Sequence, residues 1–237
     1  MPDFSKRSQE IEQMDDLNSS GEIIRQTLKE LEFINTWLGG NAVTMSGISK
    51  LLKGRDRRKE LVIADLGCGG GDMLKLVDRW AQRHGYTVKL VGFDANPNIV
   101  EYAIANTSGN PRISFHALDI FSDEFRTRKF DIVIGTLFFH HFSSEQLSQF
   151  FSQLRKQCSL GLLINDIHRH PLAFYSIKWL THWFSKSPMV KFDAPLSVLR
   201  AFRKDELENI LANASISTFE IDWKWAFRWR VLAFTNN

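Results

Sequence analysis

A run of apolar, β-branched residues, LVIADLG from Leu61 to Gly67, breaks into the glycines 67, 69, 70 and 71 and then into the helical pattern DMLKLVDRWAQRHG. A strand that reads as continuously apolar is covered on both faces, as strands of a parallel sheet are. The pattern then repeats. TVKLVGFDAN and ISFHALDI read as further strands, with NIVEYAIANTSG as the helix between them. FDIVIGTLFF, SSEQLSQFFSQLRKQC and LGLLINDI follow as strand, helix and strand, and RKDELENILANA as another helix. Such alternation predicts an α/β fold, a doubly wound Rossmann-like open sheet. The tail ISTFEIDWKWAFRWRVLAFT alternates over two runs without a helix between them, which predicts an antiparallel hairpin.

The flanking segments are read in the same way. Residues 1 to about 20 are polar and aperiodic and are expected to be mobile. Ile23, Ile24, Leu28, Leu31, Ile34 and Leu38 recur at helical spacing and stop at Gly39 and Gly40, which predicts an amphipathic helix over residues 22–40. MSGISKLL reads as one more short helix, and KGRDRRKE as a solvated loop. The stretch from about 167 to 200 is too long for an ordinary connector and reads as a helical lid insertion. The division expected is therefore an N-terminal tail and helical cap over 1–50, then one domain over 51–237 that carries the lid.

Composition narrows the function classes. A net charge of +3 gives no reason to expect a nucleic-acid partner, and no window approaches a membrane span. Cys68 and Cys158 are the two cysteines, and Cys68 sits among the glycines, so no disulfide is expected. The N-terminus lacks a signal-peptide core, so the expected location is cytoplasmic. A monomer or homodimer is expected.

A glycine-rich turn between a buried strand and a helix lets backbone approach a ligand closely. The dinucleotide spacing G-x-G-x-x-G, started at Gly67, meets Asp72 where a glycine is required, and that acid would repel a pyrophosphate. The spacing present is Asp65-x-Gly67-x-Gly69-x-Gly71, with Asp94 ending the second strand and Asp119 following the third. Strand-end acids also serve as turn caps, but three in order at consecutive strand ends point to a ligand. In this the chain resembles the class I S-adenosylmethionine-dependent methyltransferases, over roughly residues 50–237. The resemblance implies a seven-stranded sheet with an antiparallel terminal strand, and S-adenosyl-L-methionine as cofactor. It implies cofactor binding by Asp65, Gly67, Gly69, Gly71, Asp94, Ala95, Asp119, Ile120 and Thr136. Asp94 would hold the ribose hydroxyls, and Asp119 would lie near the adenine.

The substrate is expected beyond the strand C-termini. GTLFFHHF and NDIHRHPLAFY place His140, His141, Asn165, Asp166, His168, Arg169 and His170 on that rim. His141 and His168 are the candidate general bases, since histidine exchanges protons near neutrality. His140, Asp166, Arg169, Tyr175 and Trp179 are candidate substrate contacts, the last two on an aromatic helix face with Trp183. A metal set of Asp166, His168 and His170 is weakly motivated, and no metal is expected. NDIHRHPLAFY and DAPLSVLRAF are similar to a methyltransferase subgroup with the pattern N-D-L-x-R-H-P-L-A-x-Y, in which Ile167 replaces the leucine here. That subgroup is commonly described as similar to quinol or other small-molecule methylases. The expected acceptor is a small, hydroxylated, aromatic molecule of phenol, quinol or polyketide type, with O- and C-methylation both open. An Asn/Asp-Pro-Pro-aromatic motif, expected for nucleic-acid or protein amide acceptors, is absent after strand four. A macromolecular acceptor or a non-catalytic cofactor-binding scaffold are the alternatives.

Overall fold

A computed structural model describes residues 2–235. The first strand, β1 (Leu61–Leu66), is followed by β2 (Val88–Asp94), β3 (Ile113–Ala117), β4 (Phe130–Thr136), β5 (Cys158–Ile167), β6 (Phe219–Lys224) and β7 (Arg228–Phe234). They form one sheet in the order β3-β2-β1-β4-β5-β7-β6. The pairs among β1 to β5 are parallel, whereas β7 runs antiparallel to both β5 and β6. The seven-stranded sheet with an antiparallel terminal strand is the one the sequence leads one to expect.

The continuous apolar runs divide by side-chain alternation. Ile63, Ile132, Ile134 and Leu163 face one side of the sheet, against α2 (Gly40–Leu51) and α3 (Asp72–His84). Ala64, Val133, Leu162 and Ile164 face the other, against α6 (Ser144–Gln157) and α9 (Lys204–Asn213). Two shorter helices, α4 (Pro97–Asn106) and α5 (Asp123–Arg126), complete the alternation. Helix α3 carries Asp72 in its first turn and Arg83 and His84 in its last, matched to the helix dipole, and stops at Gly85 in the left-handed conformation.

Ahead of the sheet, α1 (Gly21–Trp37) ends where Leu38 caps it, and Gly39, at φ 77°, turns the chain directly into α2. Ile24 and Leu28 of α1 are buried against Ile99 and Met189, while Ile23 lies on the exposed face. The lid insertion consists of two helices, α7 (Pro171–Phe184) and α8 (Pro188–Arg200). Glu30 of α1 ties them down by accepting from the backbone N–H of Lys186 at 3.0 Å and of Ser187 at 3.2 Å.

The expected mobile N-terminus is corrected by the structure. Residues 2–20 form a strap across the lid and the C-terminal ends of the strands. Arg7 donates to the carbonyls of Arg200 at 2.7 Å, His140 at 2.9 Å and Phe142 at 2.8 Å, and its guanidinium lies over the Phe202 ring. The backbone N–H groups of Gln13 and Met14 both donate to the Asp193 carboxylate, at 2.8 and 3.0 Å. The segment is polar in composition and is held by these hydrogen bonds together with Phe4 against Phe174 and Met14 against the Ile24–Leu28 cluster. Arg7→Ala strips donors from three carbonyls and is expected to cost about 2 kcal/mol. Urea unfolding checks this; unchanged stability would mean that the strap is not held.

Candidate active site

The C-terminal ends of β1, β2 and β4 lie side by side, with Leu66 paired to both Phe93 and Gly135. Above them is a cavity of about 540 Å³. Asp65, Gly67, Gly69, Asp94, Ala95, Asp119, Ile120 and Thr136 line it. Gly71 stands behind that wall. At φ 76° it starts α3, and a Cβ there would come within 2.7 Å of the Phe115 ring. Gly67, at φ 64°, has no room for a side chain, since an added Cβ would sit 2.1 Å from the Phe138 ring.

The acids are not spent as helix caps. Asn96 caps α4 and Ser122 caps α5, each through its own side chain. Asp94 and Asp119 each give one oxygen to a local turn, accepting from Asn96 N at 3.0 Å and Phe121 N at 2.9 Å. Asp65 is buried, with no side-chain hydrogen bond among the described residues. Burial and then the Asp94 charge push its carboxyl up to about 8, and burial raises Asp94 to about 6. A cation placed between them would draw both into the charged form.

A second cavity, of about 480 Å³, lies under the lid. Its walls are mainly apolar, with Leu31 and Ile34 from α1, Ile177 and Leu180 from α7, and Val190 and Val198 from α8. Met14, Leu31, Leu137 and His141 line both cavities, so the two meet there. Leu137 holds a left-handed backbone (φ 55°), unusual for leucine, with its N–H donated to Asn165 O at 2.9 Å.

At this junction the His141 Nδ1 is 2.6 Å from Asp15 Oδ1. Arg200 holds the other Asp15 oxygen at 2.7 Å. Burial raises the Asp15 carboxyl, but His141 and Arg200 outweigh it and hold the group well below the usual range. Asp15 therefore stays a carboxylate held between His141 and Arg200, while His141 Nε2 lies 4.0 Å from Glu12 Oε2. His140 differs. It is fully buried, with Nδ1 2.7 Å from Asp166 Oδ1 and Nε2 3.5 Å from Glu12 Oε1. Burial opposes its charge, yet Asp166 and Glu12 push it up to about 9, so it is an imidazolium at neutral pH. Glu12, His140 and His141 bring ligand-type atoms within 4.8 Å of one another.

Several expected contacts fall elsewhere. His168 lines neither cavity; its ring lies tilted against Trp229 with centroids 4.8 Å apart, and burial lowers its pKa. Of the two candidate bases, only His141 lines the cavities. Arg169 is buried in a structural role, forked onto Glu206 at 2.6 and 2.9 Å and donating to Ala201 O. Asp166 positions His140 and does not line a cavity. Tyr175 and Trp183 are 53% and 67% exposed and line neither cavity, so the aromatic helix face points outward. Trp179, on the same face, reaches the rim of the apolar cavity, and His140 also lines it. Asp166, His168 and His170 are not gathered for a metal, because His170 caps α7 while Asp166 serves His140. Both cysteines are buried and free.

No sequence signal gives a role to Glu12, Asp15 or Arg228, and Asp193 and Arg200 stand out only as part of the DAPLSVLRAF stretch. The acids of EIEQMDD carry no motif, and Arg228 is hidden in an alternating strand.

Comparison with known proteins bears on the whole. A protein-family profile described as a methyltransferase domain matches residues 63–161. Phosphoethanolamine N-methyltransferase from Plasmodium falciparum is 29% identical over 134 residues, covering 54% of this chain and 47% of that protein. The chain thus aligns with about half the length of this curated relative. Human N-acetylserotonin methyltransferase, solved with S-adenosylmethionine, superposes with a TM-score of 0.65 at 19% identity, over 92% of this chain and 57% of that one. A plantazolicin methyltransferase, solved with a substrate analogue and S-adenosylhomocysteine, gives a TM-score of 0.68 at 15% identity, over 90% of both chains. The segment that builds the acid-lined cavity carries the match to a methyltransferase domain, and the chain has the Rossmann-like methyltransferase fold.

Proposed function

We propose that this protein transfers a methyl group from S-adenosylmethionine to a small hydroxylated acceptor with an apolar, aromatic body. The observation that carries this reading is the meeting of an acid-lined cavity and an apolar cavity at one histidine. When bound, S-adenosylmethionine supplies a methyl group already activated by its sulfonium. Asp65 and the glycine turn receive the amino acid end, Asp94 accepts from the ribose hydroxyls, and Asp119 and Ile120 border the adenine. The apolar cavity holds the acceptor so that its oxygen reaches the junction. There His141 would take the hydroxyl proton, while the walls of the apolar cavity would hold the acceptor oxygen in line with the activated methyl group. Asp15 fixes the ring and stabilises the imidazolium that forms. The lid and strap exclude water, which a site relying on positioning requires. Enclosure beneath α7 and α8 supports a small molecule over a macromolecule. The NDIHRHPLAFY stretch, similar to that of quinol methylases, agrees with an aromatic acceptor.

The acids make cofactor binding depend on pH. Asp65 and Asp94 are raised to about 8 and about 6, so at pH 6 in the empty site Asp65 is protonated and Asp94 about half so. Binding the ammonium and ribose selects the ionised forms, so protons are released. S-adenosylhomocysteine affinity is expected to rise from pH 6 to pH 8 by up to ~10-fold per unit for each proton released. Asp94→Ala is expected to weaken binding and flatten the lower part of this rise. Calorimetry across pH measures both, and a pH-independent affinity would contradict the assignment of the acids.

His141→Gln is expected to lower turnover by ~10²–10⁴ while S-adenosylhomocysteine affinity stays near that of the native protein. Mass-spectrometric product detection on phenol and quinol acceptors reads the rate. Undiminished turnover would show that the site works by positioning alone, and absence of product on every acceptor would favour a non-catalytic scaffold.

A further inference from the structure

Among the described residues, every buried arginine but one is paired with a carboxylate. Arg169 is forked onto Glu206, Arg200 is paired with Asp15, Arg230 with Asp222, and Arg7 serves three carbonyls. Arg228, the first residue of β7, is only 4% exposed and lines the apolar cavity. Among the described residues no carboxylate lies within 4.0 Å of it, and its one hydrogen bond is a long one, Nη1 to Asn165 Oδ1 at 3.4 Å. Asp166 acts on it from farther away, and that carboxylate is taken by His140 and the N–H of Ile167. The guanidinium also rests against the start of α2, where a Cβ on Gly40 would come within 2.8 Å of Arg228 Cζ. That helix end carries no side-chain cap and adds positive potential beside the guanidinium. A buried cation with most of its donors unused is costly unless an anion completes it.

We propose that Arg228 anchors a carboxylate on the acceptor, which is therefore an apolar monoanion carrying both an acid group and the hydroxyl to be methylated. This deepens the methyltransferase reading and rests on it for the identity of the cavity's occupant. Arg228 lines only the apolar cavity, whereas His141 lines both, so the anchor lies on the acceptor side of the junction. A guanidinium matches a carboxylate with two parallel hydrogen bonds. One buried positive charge balances a single negative one. A phosphate dianion would bring a second charge that the apolar walls around Trp37, Leu38 and Phe227 do not compensate.

The test uses two probes that share ring, hydroxyl and chain and differ only in the acid group: 2-hydroxy-6-pentylbenzoate and 3-pentylphenol. Their affinities for the full chain are measured by calorimetry with and without S-adenosylhomocysteine. The acid is expected to bind at least ~10-fold more tightly than the phenol. Arg228→Gln should abolish that preference while phenol affinity stays within about threefold, and Arg228→Lys should restore part of it. Unchanged S-adenosylhomocysteine affinity shows that the variants are folded; if the Gln variant fails this check, the native protein and the Lys variant decide. Equal affinity for the two probes, no binding of either, or a preference that survives Arg228→Gln would overturn the proposal. Failure of S-adenosylhomocysteine to bind the native protein would instead overturn the cofactor reading, while an Arg228-dependent preference for the acid would still stand.

Discussion

A single buried imidazolium joins the parts of this molecule that make the site. His140 follows β4, its Nδ1 meets Asp166 at the end of β5, and its Nε2 faces Glu12 of the N-terminal strap. The sheet fixes the first two, since Thr136 and Asn165 are paired in register. The strap must then come to them, because a charged ring buried beside one carboxylate still presents an unpaired face. Once Glu12 is seated, Asp15 falls three residues on, against His141 and Arg200. The histidine that lines both cavities is oriented by the same segment that closes over it.

The two histidines are adjacent in sequence but stand in different electrostatic positions. His140 lies between two carboxylates and keeps its proton, so it stabilises without exchanging. His141 is held closely by Asp15 at Nδ1, has Glu12 farther off at 4.0 Å from Nε2, and borders both cavities. Identical side chains acquire different surroundings from the distance of their acids and from their burial. The acid-lined cavity follows the same logic, with Asp65 and Asp94 raised in the empty site and ready to ionise against a cation.

The strands were legible because alternation and apolar runs are local properties, and the acids were legible because sheet register places strand ends together. Asp65, Asp94 and Asp119 needed only that their strands be adjacent. His141 and Asp15, 126 residues apart, could not be paired from the sequence, and a polar N-terminus offered no periodicity to suggest burial. The aromatic lid helix shows a different limit. Helical spacing says that Tyr175, Trp179 and Trp183 share a face, but not that the face points outward. His168 and Arg169 follow β5 and were expected at the site, yet the chain turns there toward α9 and the hairpin, as the Arg169–Glu206 pair records. Among the described residues no helix is long and apolar enough to cross a membrane.

Crystallography with S-adenosylhomocysteine bound tests the central claim most directly. The ribose is predicted at Asp94, the homocysteine amine at Asp65, and the sulfur at the constriction of Leu137 and His141, facing the apolar cavity. Adenosine seated under the lid, or a sulfur turned away from His141, would contradict the division of the site into a cofactor cavity and an acceptor cavity.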